Sequence, residues 1–237
     1  MKSKKEVVNF YDQFKNDQVI TGINQRHHEI MERLLRFDID SAKNILEIGC
    51  GIGTLTELMA RSLKGVDILA VDISPESIEL GQKRLEQFSS VKLEAMDIIT
   101  ADIKGSFDAI VLPDVIEHIP VDLHTKLFEK VAALLTPGGH VLISVPNPFY
   151  LKWVAENQPE KLQIIDQPIH TATLVANTEP HGLYIHYMEY YGIWTQPEDM
   201  VFVVLKKVSV QDNYELKVNT PTIQERIKHK IKRTLGQ

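Results

Sequence analysis

Apolar positions along the chain recur with two periods, and the switches between them lay out a fold. Over residues 5–17 and 22–37 they return at helical spacing, with Val7, Val8, Phe10, Tyr11 and Phe14 on one face and Ile30, Met31, Leu34 and Leu35 on another. That predicts two amphipathic helices ahead of the first strand. From Asn44 onward, short apolar runs alternate with helical stretches. Strands are expected over 45–48, 68–71, 91–96, 107–112 and 140–145, and helices over 55–63, 75–88 and 121–135. Ser74 before Pro75 is a sound helix start, because serine caps free N–H groups and proline suits the first turn. Thr136-Pro137-Gly138-Gly139 is expected to end the last of these helices in a turn. A helix over 171–179 and two strands over 183–194 and 200–208 complete the pattern. Strands separated by helices at this spacing specify an α/β fold with a doubly wound, mostly parallel sheet.

The rhythm breaks over 148–169, where Pro148, Pro159 and Pro168 stand among mixed polar and aromatic residues. The expected organisation is therefore an N-terminal helical lid over 1–40, a core over 41–210 with a substrate-facing insertion at 148–182, and a basic tail over 211–237. In the tail, Arg226, Lys228, His229, Lys230, Lys232 and Arg233 oppose Glu225 alone, with Ile223, Ile227 and Ile231 at helical spacing. Such a helix packs on its own domain or makes a weak contact with a membrane surface or a partner.

Composition narrows the class. The 237 residues carry 43% hydrophobic and 24% charged side chains, ordinary for a globular protein, and no apolar run is long enough to span a bilayer. The lysine-rich N-terminus lacks the apolar core of a secretory signal, so a cytoplasmic location is expected. One cysteine, Cys50, leaves no internal disulfide and no multi-thiolate zinc site. A formal net charge of -6 argues against a broad nucleic-acid footprint, with local basic patches still open. A homodimer is compatible with the sequence.

The candidate chemistry centres on Asn44 to Thr54. A buried strand there runs into Gly49, Gly51 and Gly53, a strand-to-helix turn that lets a ligand approach the backbone. The spacing is G-x-G-x-G, not the G-x-G-x-x-G of a dinucleotide site, which disfavours a nicotinamide oxidoreductase. Asp72 at the end of the next strand suits two ribose hydroxyls. Asp97, at the end of the third strand, suits an adenine amine, with Ile98 against the ring.

These stretches resemble the class I S-adenosylmethionine-dependent methyltransferases over roughly residues 8–208. Leu46-Glu47-Ile48-Gly49-Cys50-Gly51-Ile52-Gly53 is similar to their first motif, Val71-Asp72-Ile73-Ser74 to the second, and Met96-Asp97-Ile98 to the adenine loop. Phe107-Asp108 through His118 matches the fourth strand and its exit, and Leu134-Leu135-Thr136-Pro137-Gly138-Gly139 precedes the fifth. The resemblance implies a seven-stranded Rossmann-like sheet with an antiparallel edge hairpin, and S-adenosyl-L-methionine as cofactor. It implies Glu47 near the methionine amino group, Asp72 and Ile73 at the ribose, Asp97 and Ile98 at the adenine, and Pro113 and Asp114 near the methionine part. Tyr11 and Arg26 of the N-terminal helices are expected to reach its carboxylate by analogy with other lids.

His118 leaves the carboxyl end of a central strand and titrates near neutrality, so it is the candidate base for deprotonating a hydroxyl. The competing reading makes Glu117-His118-Ile119-Pro120 a loop-shaping element only. Asp114, Glu117 and His118 also resemble a divalent-ion cluster of ubiquinone-pathway O-methyltransferases and small-RNA 2′-O-methyltransferases, with aspartate where those families carry glutamate. The expected activity is O-methylation of a small molecule such as a sugar or secondary metabolite. The alternatives are metal-assisted RNA 2′-O-methylation and a non-catalytic cofactor-binding subunit.

Overall fold

The computed structural model describes residues 2–195 and 197–208, so the basic tail lies outside the described residues. Two helices come first, α1 (Lys4–Thr21) and α2 (Gln25–Leu35). The core then alternates β1 (Asn44–Ile48), α3 (Thr54–Ser62), β2 (Asp67–Asp72), α4 (Pro75–Arg84), β3 (Val91–Ala95) and β4 (Phe107–Pro113). It continues through α5 (His124–Leu134), β5 (Leu135–Pro146), α6 (Pro148–Asn157), α7 (Thr171–Thr178), β6 (Leu183–Tyr191) and β7 (Met200–Lys207). All strands join one 7-stranded sheet in the order β3-β2-β1-β4-β5-β7-β6. The first five are mutually parallel, and β7 runs antiparallel to both β5 and β6.

Alternation along the strands sends side chains to two cores. Leu46, Ile110, Leu112 and Ile143 face Leu127, Phe128 and Val131 of α5. Ile45, Val111 and Leu142 face Leu34 of α2 and Leu55 and Met59 of α3. The sheet is thus covered on both sides, as its continuous apolar strands require. β1 lies between β2 and β4, so the chain reverses its direction of winding beside β1 and leaves a crevice at the carboxyl ends there.

Several boundaries differ from the sequence expectation for local reasons. The helix expected over 121–135 starts at His124, because Val121–Leu123 forms a tighter 3-10 turn after Pro120. Thr136 to Gly139 does not precede the fifth strand but lies inside it. Leu135 already pairs with Phe107, the register shifts, and pairing resumes at His140 with Ala109. The irregular stretch expected from 148 begins instead as α6, where the Asn147 side chain accepts from Phe149 N–H at 3.0 Å and Pro148 fills the first turn. The strand expected to reach 194 ends at Tyr191, since Ile193 and Trp194 donate their N–H groups to the Asp199 carboxylate instead of a neighbouring strand.

His27 joins α2 to the core. Its Nδ1 accepts the Asn24 N–H at 3.2 Å, and its Nε2 meets Thr54 Oγ1, the first residue of α3, at 2.9 Å. Burial and the neighbouring Arg26 charge lower its pKa to about 4, so the fold holds the neutral ring. The stability it contributes is complete above the unfolded value near 6.5 and is lost as pH falls toward 4. By pH 5 the loss is about 2 kcal/mol. Denaturant titrations at pH 7 and pH 5 are expected to show a smaller drop for His27→Gln than for the native chain.

Candidate active site

The turn after β1 is fixed by backbone bonds. Gly49 and Cys50 both donate to Val71 O, at 2.8 and 3.1 Å. Gly51 N–H reaches Asp72 Oδ2 at 2.8 Å, and Ser74 N–H reaches Asp72 Oδ1 at 2.9 Å. Gly49 and Gly51 have φ of 78° and 53°, a region open to glycine at little cost. A Cβ on Gly49 would stand 2.3 Å from Val115 Cγ2. Burial raises the Asp72 pKa above its usual range, with the N–H bonds working against it. Gly53 serves packing instead. It lies outside the cavity wall and precedes α3 with φ 77°, and a Cβ there would meet Leu85 at 2.8 Å.

The carboxyl ends of the central strands and the helices above them enclose a cavity of about 720 Å³. From β1 and β2 it receives Glu47, Gly49, Gly51, Asp72 and Ile73, and from the segment after β3 it receives Asp97 and Ile98. Glu47 is wholly buried. Thr56 donates to its Oε2 at 2.6 Å, its Oε1 has no partner, and burial pushes its pKa to about 7 against the Thr56 bond. Asp97 accepts Lys4 at 2.7 Å and Ile99 N–H at 2.9 Å. These contacts outweigh its burial and hold its pKa below the ordinary value.

The other end of the cavity is built by the loop after β4. Pro113, Asp114 and His118 line it together with Tyr11 and Arg26 from the N-terminal helices. Asp114 has φ 53°, an uncommon conformation for a residue with a side chain. Its carboxylate is already engaged by Arg26 at 2.6 Å and by Ser144 Oγ at 3.2 Å. The Tyr11 hydroxyl is buried without a partner, and burial with nearby carboxylates keeps it protonated. Glu117 turns away from the cavity wall and is wholly buried, with neither oxygen hydrogen-bonded. Among the described residues no group of three or more His, Cys, Asp or Glu is placed to hold a metal ion.

His118 is the most constrained group at this end. Its Nδ1 contacts the Ile165 carbonyl at 2.7 Å and Asp166 Oδ1 at 3.1 Å, while Nε2 lies 3.7 Å from Glu117 Oε1. Burial disfavours the imidazolium, but the Glu117 and Asp166 carboxylates outweigh it and raise the His118 pKa. Burial raises that of Glu117 as well. The groups that sequence patterns did not single out are Lys4 and Gln18 of α1, whereas Gln163 and Ile165 lie in the insertion expected to face the substrate. No motif marks Lys4 and Gln18; only the packing of α1 over the sheet edge brings them here.

The methyltransferase-domain family profile matches residues 23–187. The chain belongs to this family, of the S-adenosylmethionine-dependent class I type. The ubiquinone biosynthesis O-methyltransferase of Xanthomonas oryzae pv. oryzae is 34% identical over 115 residues, covering 47% of this chain and 46% of that protein. The corresponding protein of Xanthomonas campestris pv. campestris is 34% identical over 106 residues, covering 44% and 43%. The match thus spans about half the length of these relatives. Among solved structures, magnesium protoporphyrin IX methyltransferase from Synechocystis, with bound S-adenosylhomocysteine, superposes with TM-score 0.68 at 16% identity, covering 86% of this chain and 99% of that one. An N-methyltransferase from Bradyrhizobium japonicum, bound to the same molecule, gives TM-score 0.66 at 20% identity over 84% and 100%. These structures share the fold of this methyltransferase.

The glycine turn provides a direct test. In this methyltransferase, Gly49→Ala combines a left-handed backbone with a Cβ pressed on Val115, a β-branched side chain with little room to rotate. A loss of about 2–3 kcal/mol in chemical denaturation is expected. An unchanged midpoint would show that the turn relaxes freely.

Proposed function

We propose that this chain transfers a methyl group from S-adenosylmethionine to a hydroxyl oxygen of a small molecule. The observation that carries the reading is the order of groups along one sheet edge: Asp97 after β3, Asp72 ending β2, Glu47 and the glycine turn at β1, and Pro113 through His118 after β4. Neighbouring strands are about 4.8 Å apart, so a ligand made of a base, a sugar and an amino acid meets a different group at each step. The residues fit such a ligand. Glu47 Oε1 is a buried acceptor without a partner, suited to an ammonium group. Asp72, beside Ile73, has lone pairs left for two ribose hydroxyls, and Asp97 and Ile98 suit the adenine. Arg26 is already paired with Asp114, so a methionine carboxylate would share it, with the Tyr11 hydroxyl as a second donor.

When bound, S-adenosylmethionine supplies a methyl group activated by its sulfonium, which passes to the acceptor oxygen while the C–S electron pair stays on sulfur. The protein's part is to hold the acceptor, exclude water and remove the hydroxyl proton. His118 takes that proton at Nε2. Phe14, Ile119, Leu123, Ile165 and Trp194 give the acceptor end apolar walls, which suit a flat or amphipathic body of the secondary-metabolite kind. Helices α1 and α2 act as the lid, and the segment after α6 as the substrate-facing wall. O-methylation is the activity named for the sequence relatives, and a hydroxyl acceptor, un-ionised at neutral pH, needs a base.

Two variants separate binding from chemistry. Asp72→Ala should weaken S-adenosylhomocysteine binding by about 2 kcal/mol in calorimetry, as the ribose hydroxyls lose a charged partner; full affinity would refute the assignment. His118→Ala should keep that affinity and lower turnover about 100-fold or more. Because only the neutral ring accepts a proton and the His118 pKa is raised, turnover of the native enzyme should climb with pH through a midpoint above the 6.5 of a free imidazole. A midpoint at or below that value contradicts the base.

A further inference from the structure

The loop between α6 and α7 does more than close one side of the cavity. Its residues are tied to the turn that carries His118: Gln167 N–H donates to Glu117 O at 3.1 Å, and Gln167 Nε2 donates to Ile119 O at 3.0 Å. The same loop presents Ile165 O and Asp166 Oδ1 to His118 Nδ1, at 2.7 and 3.1 Å. Asp166 is itself held, since its Oδ2 accepts Gln163 N–H at 2.7 Å, and its side chain is 9% exposed. Two oxygens that only accept therefore face one ring nitrogen. That nitrogen must carry the proton, and the lone pair of the neutral ring is left at Nε2.

From this arrangement we propose that Asp166 is a positioning residue that fixes the tautomer and orientation of His118 so that Nε2 is the basic nitrogen. It lies in the insertion expected to face the substrate, outside the motifs of the glycine turn and the strand ends. The logic is that of any histidine base oriented through its second nitrogen, where a carboxylate selects the tautomer and stabilises the imidazolium once the proton arrives. Glu117 helps to stabilise the imidazolium but does not select the tautomer. Its nearest oxygen is 3.7 Å from Nε2, beyond hydrogen-bond reach, and it lies on the wrong nitrogen. Other groups facing the ring are few. Tyr11 of α1 approaches with a centroid separation of 6.1 Å, and Glu117 belongs to the same turn as His118. During turnover the acceptor O–H bond breaks, the oxygen takes the methyl group, and the proton moves to Nε2, leaving an imidazolium whose Nδ1–H remains on Asp166.

The inference rests on His118 being the base, and the experiment separates the two ideas. In the full chain labelled with 15N-histidine, Asp166→Asn keeps the shape of the side chain and an oxygen for Gln163 N–H. Its His118 resonances should show a lower titration midpoint and a larger share of the Nε2–H tautomer. Turnover should fall about tenfold or more, with the acid limb of the pH profile moved to lower pH and the Michaelis constant for S-adenosylmethionine unchanged. Asp166→Glu should restore part of the midpoint shift. An unchanged His118 tautomer and midpoint in Asp166→Asn overturns the positioning role whatever the rate. If the resonances shift as expected but His118→Ala turns over at full rate, positioning of the ring stands and the base assignment falls.

Discussion

The carboxylate of Asp72 ties together the two strand ends on which the site depends. It accepts the Gly51 N–H from the turn after β1 and the Ser74 N–H that begins the next helix, and the adjacent Val71 carbonyl takes the N–H groups of Gly49 and Cys50. Four backbone donors at a strand-to-helix turn, which would otherwise need water, are thereby satisfied within the protein. The turn can then stay rigid while its glycines keep the backbone bare toward the cavity. Remove this carboxylate and the Gly51 and Ser74 N–H groups lose their partner, at the very place where the sheet changes winding direction.

What lies over that edge is fastened differently. None of the α1 side chains is wholly buried. The helix is held by Lys4 on Asp97, Lys15 on Glu76, and Asp12 at Ser74 Oγ, with Gln18 set over Gly51. Lys4 is 61% exposed, and contacts of this kind contribute little individually, roughly 0–1 kcal/mol. α2 is the opposite case, with Ile30 and Leu34 in the core and Arg33 stacked 3.5 Å over the Tyr191 ring while bound to Glu29 and Glu189. α2 is thus firmly seated beside a lightly fastened α1.

The legible part of the molecule was the part governed by local rules. Period and capping located the strands and helices, because burial on both faces of a parallel sheet forces continuous apolar runs such as Ile68 to Val71 and Ala109 to Leu112. The glycine turn and the acids ending successive strands were readable because topology places strand ends side by side. Local rules misread Thr136 to Gly139, whose turn residues form an irregularity inside β5; the strand pairing on either side outweighs the turn signal. They also could not show that Gly53 makes room for Leu85, that Arg26 is committed to Asp114, or that residues 163–167 meet His118. Each of those depends on contacts between segments far apart in sequence, and no spacing within a motif encodes them.

The site is costly to the fold that carries it. Glu47 Oε1, both oxygens of Glu117 and the Tyr11 hydroxyl are buried without partners, and each such group forfeits roughly 1–3 kcal/mol of solvation. Asp114 adds a left-handed backbone. A chain selected for stability alone would replace these groups with apolar ones, as it does throughout the two cores. The groups that carry this cost are not equivalent. Glu47 and Tyr11 line the cavity, where a bound ligand satisfies them and recovers part of the loss as affinity. Glu117 does not line it, and its compensation must come from His118. A protonated imidazole beside it offsets its charge, and burial favours its neutral form. The strain at Glu117 and the raised basicity of His118 are therefore two expressions of one buried pair.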